Sequence, residues 1–372
     1  MVKKLGYGMM RLPLKDVNDY SSVDIEQTKK LVDVFLSKGF TYFDTAYPYH
    51  NGMSEEAFRE TVVKRYPRKS FTVTDKMPCW LISSANDFQK VFDTQLKRCG
   101  VDYFDYYWLH ALNKDYYANM QKYDGFGFIA KMKAEGKIRH IGFSFHDDSV
   151  LLERILKEHP EVEYVQLQIN YLDWESPTVE SRKCLDIVTR YGKPVIVMEP
   201  VKGGSLAKVP EAVEHLFKDY HPDMTPSSWA IRYAASCDNV FMVLSGMSNM
   251  EQVMDNVGYM SDFQPINDTE REIIEKARAI IEKSIAIPCT ACHYCTEECP
   301  QQICIPEYFS LYNTLNQFGK ERQWMNTSTY YSVLSNTHGK ASDCIECGQC
   351  EEHCPQHITI IDNLKKVAKI FD

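Results

Sequence analysis

The sequence predicts an α/β chain: a (β/α)8 barrel followed by a small, mainly α-helical domain rich in cysteine. Two observations lead there. Eight strand-like runs alternate with amphipathic stretches over about 260 residues, the length of one such barrel. Nine of the 13 cysteines fall within the last 84 of the 372 residues. A doubly wound open sheet is the runner-up, but eight regular units are many for it, and no GxGxxG follows a strand.

The strand candidates are β-branched or aromatic runs at Leu5–Met9, Phe40–Asp44, Phe71–Lys76, Phe104–Leu109, Arg139–Ser144, Tyr164–Ile169, Pro194–Glu199 and Phe241–Ser245. Between them lie helix candidates. In Asp24–Ser37, Ile25, Thr28, Leu31, Val32, Phe35 and Leu36 recur at helical spacing before Gly39. The others are Ser54–Arg65, Asn86–Cys99, Gly127–Glu135, Asp147–His159, Thr178–Tyr191, Thr225–Cys237 and Asn249–Ser261. The boundary is placed near Ser284, after the charged stretch Asp268–Lys283, giving domains 1–283 and 284–372. No Gly/Ser linker follows it, so the two parts are expected to pack together.

Composition excludes several classes. Hydrophobic residues make up 44% and charged residues 25%, the balance of a folded globular chain. The net charge of −9 argues against nucleic acid as a partner. No apolar run approaches the roughly 18 residues that cross a bilayer, so no membrane span is expected. The start, Met1-Val-Lys-Lys-Leu-Gly-Tyr-Gly, does not read as a signal peptide, and a cytoplasmic location is expected. Without a secretory context, clustered cysteines favour metal over disulfides.

Two cysteine runs share one spacing: Cys289-x2-Cys292-x2-Cys295-x3-Cys299-Pro300 and Cys344-x2-Cys347-x2-Cys350-x3-Cys354-Pro355. This is the bacterial ferredoxin pattern for [4Fe–4S] clusters, written twice. Zinc explains paired CxxC units but not a third cysteine plus Cys-Pro in each run. In that pattern the fourth cysteine of one run serves the other cluster. Cys289, Cys292, Cys295 and Cys354 are therefore assigned to one cluster, and Cys344, Cys347, Cys350 and Cys299 to the second. Cys304 is left over and reads as buried packing. Helices are expected at Ile305–Phe318, Trp324–Ser335 and Ile358–Phe371.

In a barrel of this kind, function sits at the carboxyl ends of the strands. Four residues stand out: Asp44, Lys76 and His110 at the ends of the second, third and fourth strand candidates, and Tyr49 five residues after Asp44. Tyr49 lies in Asp-Thr-Ala-Tyr-Pro-Tyr-His. Lys76 beside Tyr49 is expected to lower the phenol pKa from about 10. Asp44 would keep Lys76 charged, and His110 would donate to a carbonyl oxygen. The rim also carries the aromatics Tyr47, Trp80, Trp108, Tyr171 and Trp174.

The segment resembles the active-site signature of the aldo-keto reductase family, whose tetrad is Asp, Tyr, Lys and His in this order. The resemblance covers about 260 residues. It implies a nicotinamide cofactor, NADP(H) or NAD(H), bound across the barrel mouth. Ser144 and Gln166 then match positions that hold the carboxamide. Gly6 and Gly8 match first-strand glycines where backbone approaches the cofactor, with Met9 beside them. Lys202, Gly203 and Gly204 could offer amides to the pyrophosphate. Ser245, Gly246, Ser248, Gln252 and Asn256 look like the adenosine-phosphate segment. There Gly246 and Gln252 replace the Lys and Arg that better-known members place around the 2′-phosphate, and Met198 replaces the aromatic stacked on the nicotinamide.

The whole chain is identified as resembling the ferredoxin-fused branch of that family. The expected activity is nicotinamide-dependent reduction or oxidation of a small carbonyl or alcohol, with two [4Fe–4S] clusters exchanging electrons with a redox protein partner. The alternative is an electron-transfer or redox-sensing protein whose barrel docks a flavoprotein and turns over little itself. A hydride carries two electrons and a cluster takes one, so joining the two halves needs a converter such as flavin, for which no signature is found.

Overall fold

A computed structural model describes residues 3–372 apart from 17–18, 177–178, 284, 288, 290–293, 298, 319–326 and 355–356. The chain forms two compact units, Met1–Val201 with Ser227–Asn267, and Lys202–Pro226 with Asp268–Asp372. This division differs from a boundary near Ser284. It groups helix Asp268–Lys283 with helix Glu211–Tyr220, whose following His221 approaches Glu270 at 3.1 Å.

The first unit carries eight strands closed into a parallel barrel in sequence order: β1 Leu5–Gly8, β2 Tyr42–Asp44, β3 Thr72–Pro78, β4 Phe104–Leu112, β5 Ile138–Phe145, β6 Tyr164–Gln168, β7 Val195–Met198 and β8 Val240–Gly246. Each expected run overlaps one of them, although β3, β4, β5 and β8 extend beyond the expected bounds. Several helices between them carry side-chain N-caps. Asp24 accepts from Gln27 N at 3.0 Å, and Asp148 and Asn249 cap theirs in the same way. Each such cap contributes about 1 kcal/mol.

Inside the barrel Tyr42, Tyr106, Trp108, Ile196, Met242 and Leu244 pack into a floor. Trp108 is therefore an interior residue and not the rim aromatic expected from its place near the end of β4. Gly142 makes room for it, since a Cβ there would lie 2.7 Å from the indole and 2.2 Å from Tyr164 O. The outer core lies between strands and helices, with Phe35, Phe43, Phe58, Phe92 and Phe104 among its rings.

In the second unit the cysteine-bearing part is helical. Its helices are Tyr294–Glu297, Ile305–Phe318, Thr327–Ser335, Gln349–Glu352 and Ile360–Phe371. Residues 324–326, expected to open the third, lie outside the described residues. Ile303, Ile305, Tyr308, Phe309, Ile360, Leu364 and Val367 form its core, with Tyr331 stacked on Phe371. Cys304 is buried there beside Tyr308.

Candidate active site and candidate cluster ligands

Register brings the candidate residues to one end of the barrel. Asp44 closes β2 opposite Gly8, Pro78 of β3 pairs with His110 of β4, and Ser144 of β5 pairs with Gln166 of β6. Lys76 Nζ donates to Asp44 Oδ1 at 2.6 Å and to Thr45 O at 2.8 Å, and lies 3.4 Å from Tyr49 Oη. The ammonium also sits 4.9 Å from the Tyr49 ring centre, whose edge meets His110. Asp44, Lys76 and His110 are all buried.

Burial pushes the Asp44 carboxyl up, against the pull of Lys76. Burial disfavours the charged Lys76, but Asp44 and Tyr49 outweigh it and raise the ammonium above an ordinary lysine. Lys76 does pull the Tyr49 phenol down, as expected. Burial is the larger effect, however, and with Asp44 and Glu199 it leaves the phenol above its ordinary value. The expected net lowering is thus corrected: in the bare cleft Tyr49 is a protonated acid. Burial, then Lys76 and His146, hold His110 well below its ordinary value, so its imidazole is neutral.

The backbone of Lys76 is locked from behind. Its N–H donates to Asp75 Oδ1 at 2.8 Å, and its carbonyl accepts from Gln95 Nε2 at 3.0 Å. Asp75 is fully buried beside Glu55, which pairs with Arg98 at 3.1 Å. Burial and the neighbouring Glu55 carboxylate push Asp75 well up.

Three buried atoms at the mouth have no partner among the described residues: Asp44 Oδ2, His110 Nδ1 and Gln166 Oε1. Ser144 Oγ accepts from Ala111 N at 2.7 Å. Ser245 Oγ accepts from Asn256 Nδ2 at 2.8 Å, and Ser248 N donates to Gln252 Oε1 at 2.7 Å. Met198 ends β7 opposite Gln168, half-buried, and Met9 is buried after β1. Trp80 is exposed, 5.2 Å from the His110 ring. Lys202, Gly203 and Gly204 belong to the second unit, in three successive left-handed conformations.

In that unit Cys299, Cys344, Cys347 and Cys350 line one cavity, walled by Ile303, Ile305 and Leu364. Glu346 and Gly348, between these cysteines, are in left-handed conformations. Cys295 and Cys354 are buried and Cys289 half-buried, all three against the same core. Cys292 lies outside the described residues.

Residues 4–279 match the Aldo/keto reductase family and residues 288–359 the 4Fe-4S dicluster domain. The chain belongs to the aldo/keto reductase family. Relatives of this oxidoreductase family include an uncharacterised oxidoreductase of Schizosaccharomyces pombe, 26% identical, with 69% of this chain and 81% of that protein covered. Among solved structures, the holo form of an aldo-keto reductase from Bacillus halodurans is 24% identical at a TM-score of 0.59, covering 74% of this chain and 92% of that one. One from Klebsiella pneumoniae in complex with NADPH is 18% identical at a TM-score of 0.57, covering 74% and 90%.

Sequence reasoning assigned no role to His50, Asp75, Glu55 or Arg11. Two of them adjoin residues it did single out: His50 follows Tyr49, and Asp75 precedes Lys76. His50 Nε2 accepts from Leu12 N at 3.0 Å, its Nδ1 donates to Tyr20 O at 2.9 Å, and its ring stacks on Tyr20. It ties the tyrosine's loop to the turn after β1.

Proposed function

We propose that the barrel reduces or oxidises a small carbonyl or alcohol with a nicotinamide cofactor, NADP(H) or NAD(H). The observation that carries this reading is the buried Lys76 ammonium, held between Asp44 and the Tyr49 hydroxyl with neutral His110 alongside. The cofactor, when bound, supplies or takes up the hydride. Unpartnered Gln166 Oε1 and the Ser144 hydroxyl suit an amide bearing both donors and an acceptor. The NADPH and NADP of the Klebsiella pneumoniae structures support the same reading.

The chain's own chemistry is proton transfer. His110 donates to the carbonyl oxygen and orients it. Tyr49 gives that oxygen its proton as charge develops, and Lys76 stabilises the phenolate left behind. Asp44 prevents Lys76 from losing its charge in a dry site. Replacing Tyr49 by Phe should abolish carbonyl reduction while the cofactor still binds. Reduction at the wild-type rate would remove Tyr49 from the role of acid.

Two [4Fe–4S] clusters are proposed for the C-terminal part, ligated by Cys289, Cys292, Cys295 and Cys354, and by Cys344, Cys347, Cys350 and Cys299. The second set lines one apolar-walled cavity, which fits a thiolate-held cluster. Such a cluster accepts and releases single electrons. A second reading, electron exchange with a redox protein partner, is favoured by the exposure of Cys347 and of its neighbour Ile345, 60% accessible.

A further inference from the structure

We propose that Arg11, on the turn after β1, supplies the cation that holds the 2′-phosphate of NADPH and so sets a preference for NADPH over NADH. This rests on the reading that a nicotinamide dinucleotide binds at this barrel mouth. The segment after β8 lacks the expected basic side chains, with Gly246 and Gln252 in their places. Gln252 is already engaged with the backbone of Ser248. The structure fills the gap from another strand. The Arg11 stem runs across Gly246: a Cβ built there would lie 3.0 Å from Arg11 Cβ, 3.2 Å from Cδ and 3.3 Å from Cγ. A side chain at 246 and the present course of Arg11 therefore compete for the same space, and the glycine leaves it to the arginine.

The turn is pinned for this task. Gly8 and Gly246 are register partners. Ser248 Oγ donates to Arg11 O at 2.7 Å, Tyr20 Oη to Met10 O at 2.8 Å, and Leu12 N to His50 Nε2 at 3.0 Å. Both backbone neighbours of Arg11 and its own carbonyl are thus fixed, while its head is exposed and makes no ion pair among the described residues. A guanidinium without a carboxylate, set over a loop that offers no other cation, matches a phosphate dianion.

The test is equilibrium binding of NADPH and of NADH to the full chain under anaerobic conditions, read by fluorescence without any carbonyl. Arg11→Ala should weaken NADPH by about 10-fold or more and leave NADH within about 2-fold. Arg11→Gly combined with Gly246→Lys should recover most of the NADPH affinity, because the new side chain occupies the vacated space. Equal weakening of both cofactors, or of neither, overturns the assignment, as does a wild-type chain that binds NADH as tightly as NADPH. Binding of neither cofactor by the wild type would refute the proposed function, and this assignment with it.

Discussion

The barrel mouth and the cysteine-bearing unit are both sets of polar ligands in apolar walls, but they are held differently. At the mouth nearly every group is fixed by another protein group. Lys76 is clamped by Asp44, Thr45, Asp75 and Gln95, and His50 straps Tyr49's loop to the turn after β1. Around the second site, Cys299, Cys344, Cys347 and Cys350 line one cavity as free cysteines over a small core. The first site is prearranged by the fold. The second has a core of its own, and a group that links its cysteines would add to the stability of that core. The active site should therefore survive loss of metal, and the C-terminal part should lose stability.

The sharpest way to break that contrast is at Tyr49. Tyr49→Phe should lower the turnover of carbonyl reduction by about 100-fold to 10,000-fold, with cofactor binding unchanged. Steady-state kinetics beside a binding titration separates the two effects. Next is the ion pair. Lys76→Met leaves Asp44 buried without its cation, and urea unfolding should show a loss of about 3–5 kcal/mol. A loss near zero would mean that Asp44 takes up a proton once the cation is gone.

On the cysteine side, Cys347→Ala should halve the iron content, whereas Cys304→Ala should leave it unchanged, both measured by metal analysis after anaerobic purification. Equal iron in wild type and Cys347→Ala would overturn the ligand assignment.

The smallest expected effect concerns pH. Burial lowers His50, and its neutral ring is needed, since Nε2 accepts from Leu12 N. A depressed histidine contributes stability that is complete above the unfolded value of about 6.5 and is lost as pH falls through the folded value. The melting temperature of the barrel should thus drop between about pH 6.5 and the lowered value, and His50→Gln should flatten that drop. An unchanged slope in the variant would remove His50 as its source.

The strands were legible because β-branched and aromatic runs alternate with capped amphipathic helices, and a closed barrel needs nothing more than their order. Helices Lys114–Lys122 and Glu211–Tyr220 were missed because each shares its interval between two strands with a helix already expected there, Gly127–Glu135 and Thr225–Cys237. Asp44, Lys76 and His110 could be singled out as ionisable residues near strand ends, and Tyr49 by its place five residues after Asp44, and the structure brings the four side chains together. Trp108 was misplaced because position along a strand does not say which layer of the barrel a side chain enters. Arg11 and Asp75 stayed silent for a different reason. Their roles depend on register between strands far apart in sequence, and a single arginine or aspartate carries no periodic signal.

The most direct test of the central claim is to add NADPH to the anaerobic full chain and follow the nicotinamide and cluster absorbances together, before and after an aldehyde is supplied. The account predicts that nicotinamide absorbance falls only once the carbonyl is present, while the clusters stay oxidised. Bleaching of the clusters by NADPH with no carbonyl present, and no turnover when one is added, would contradict it and make the protein an electron carrier.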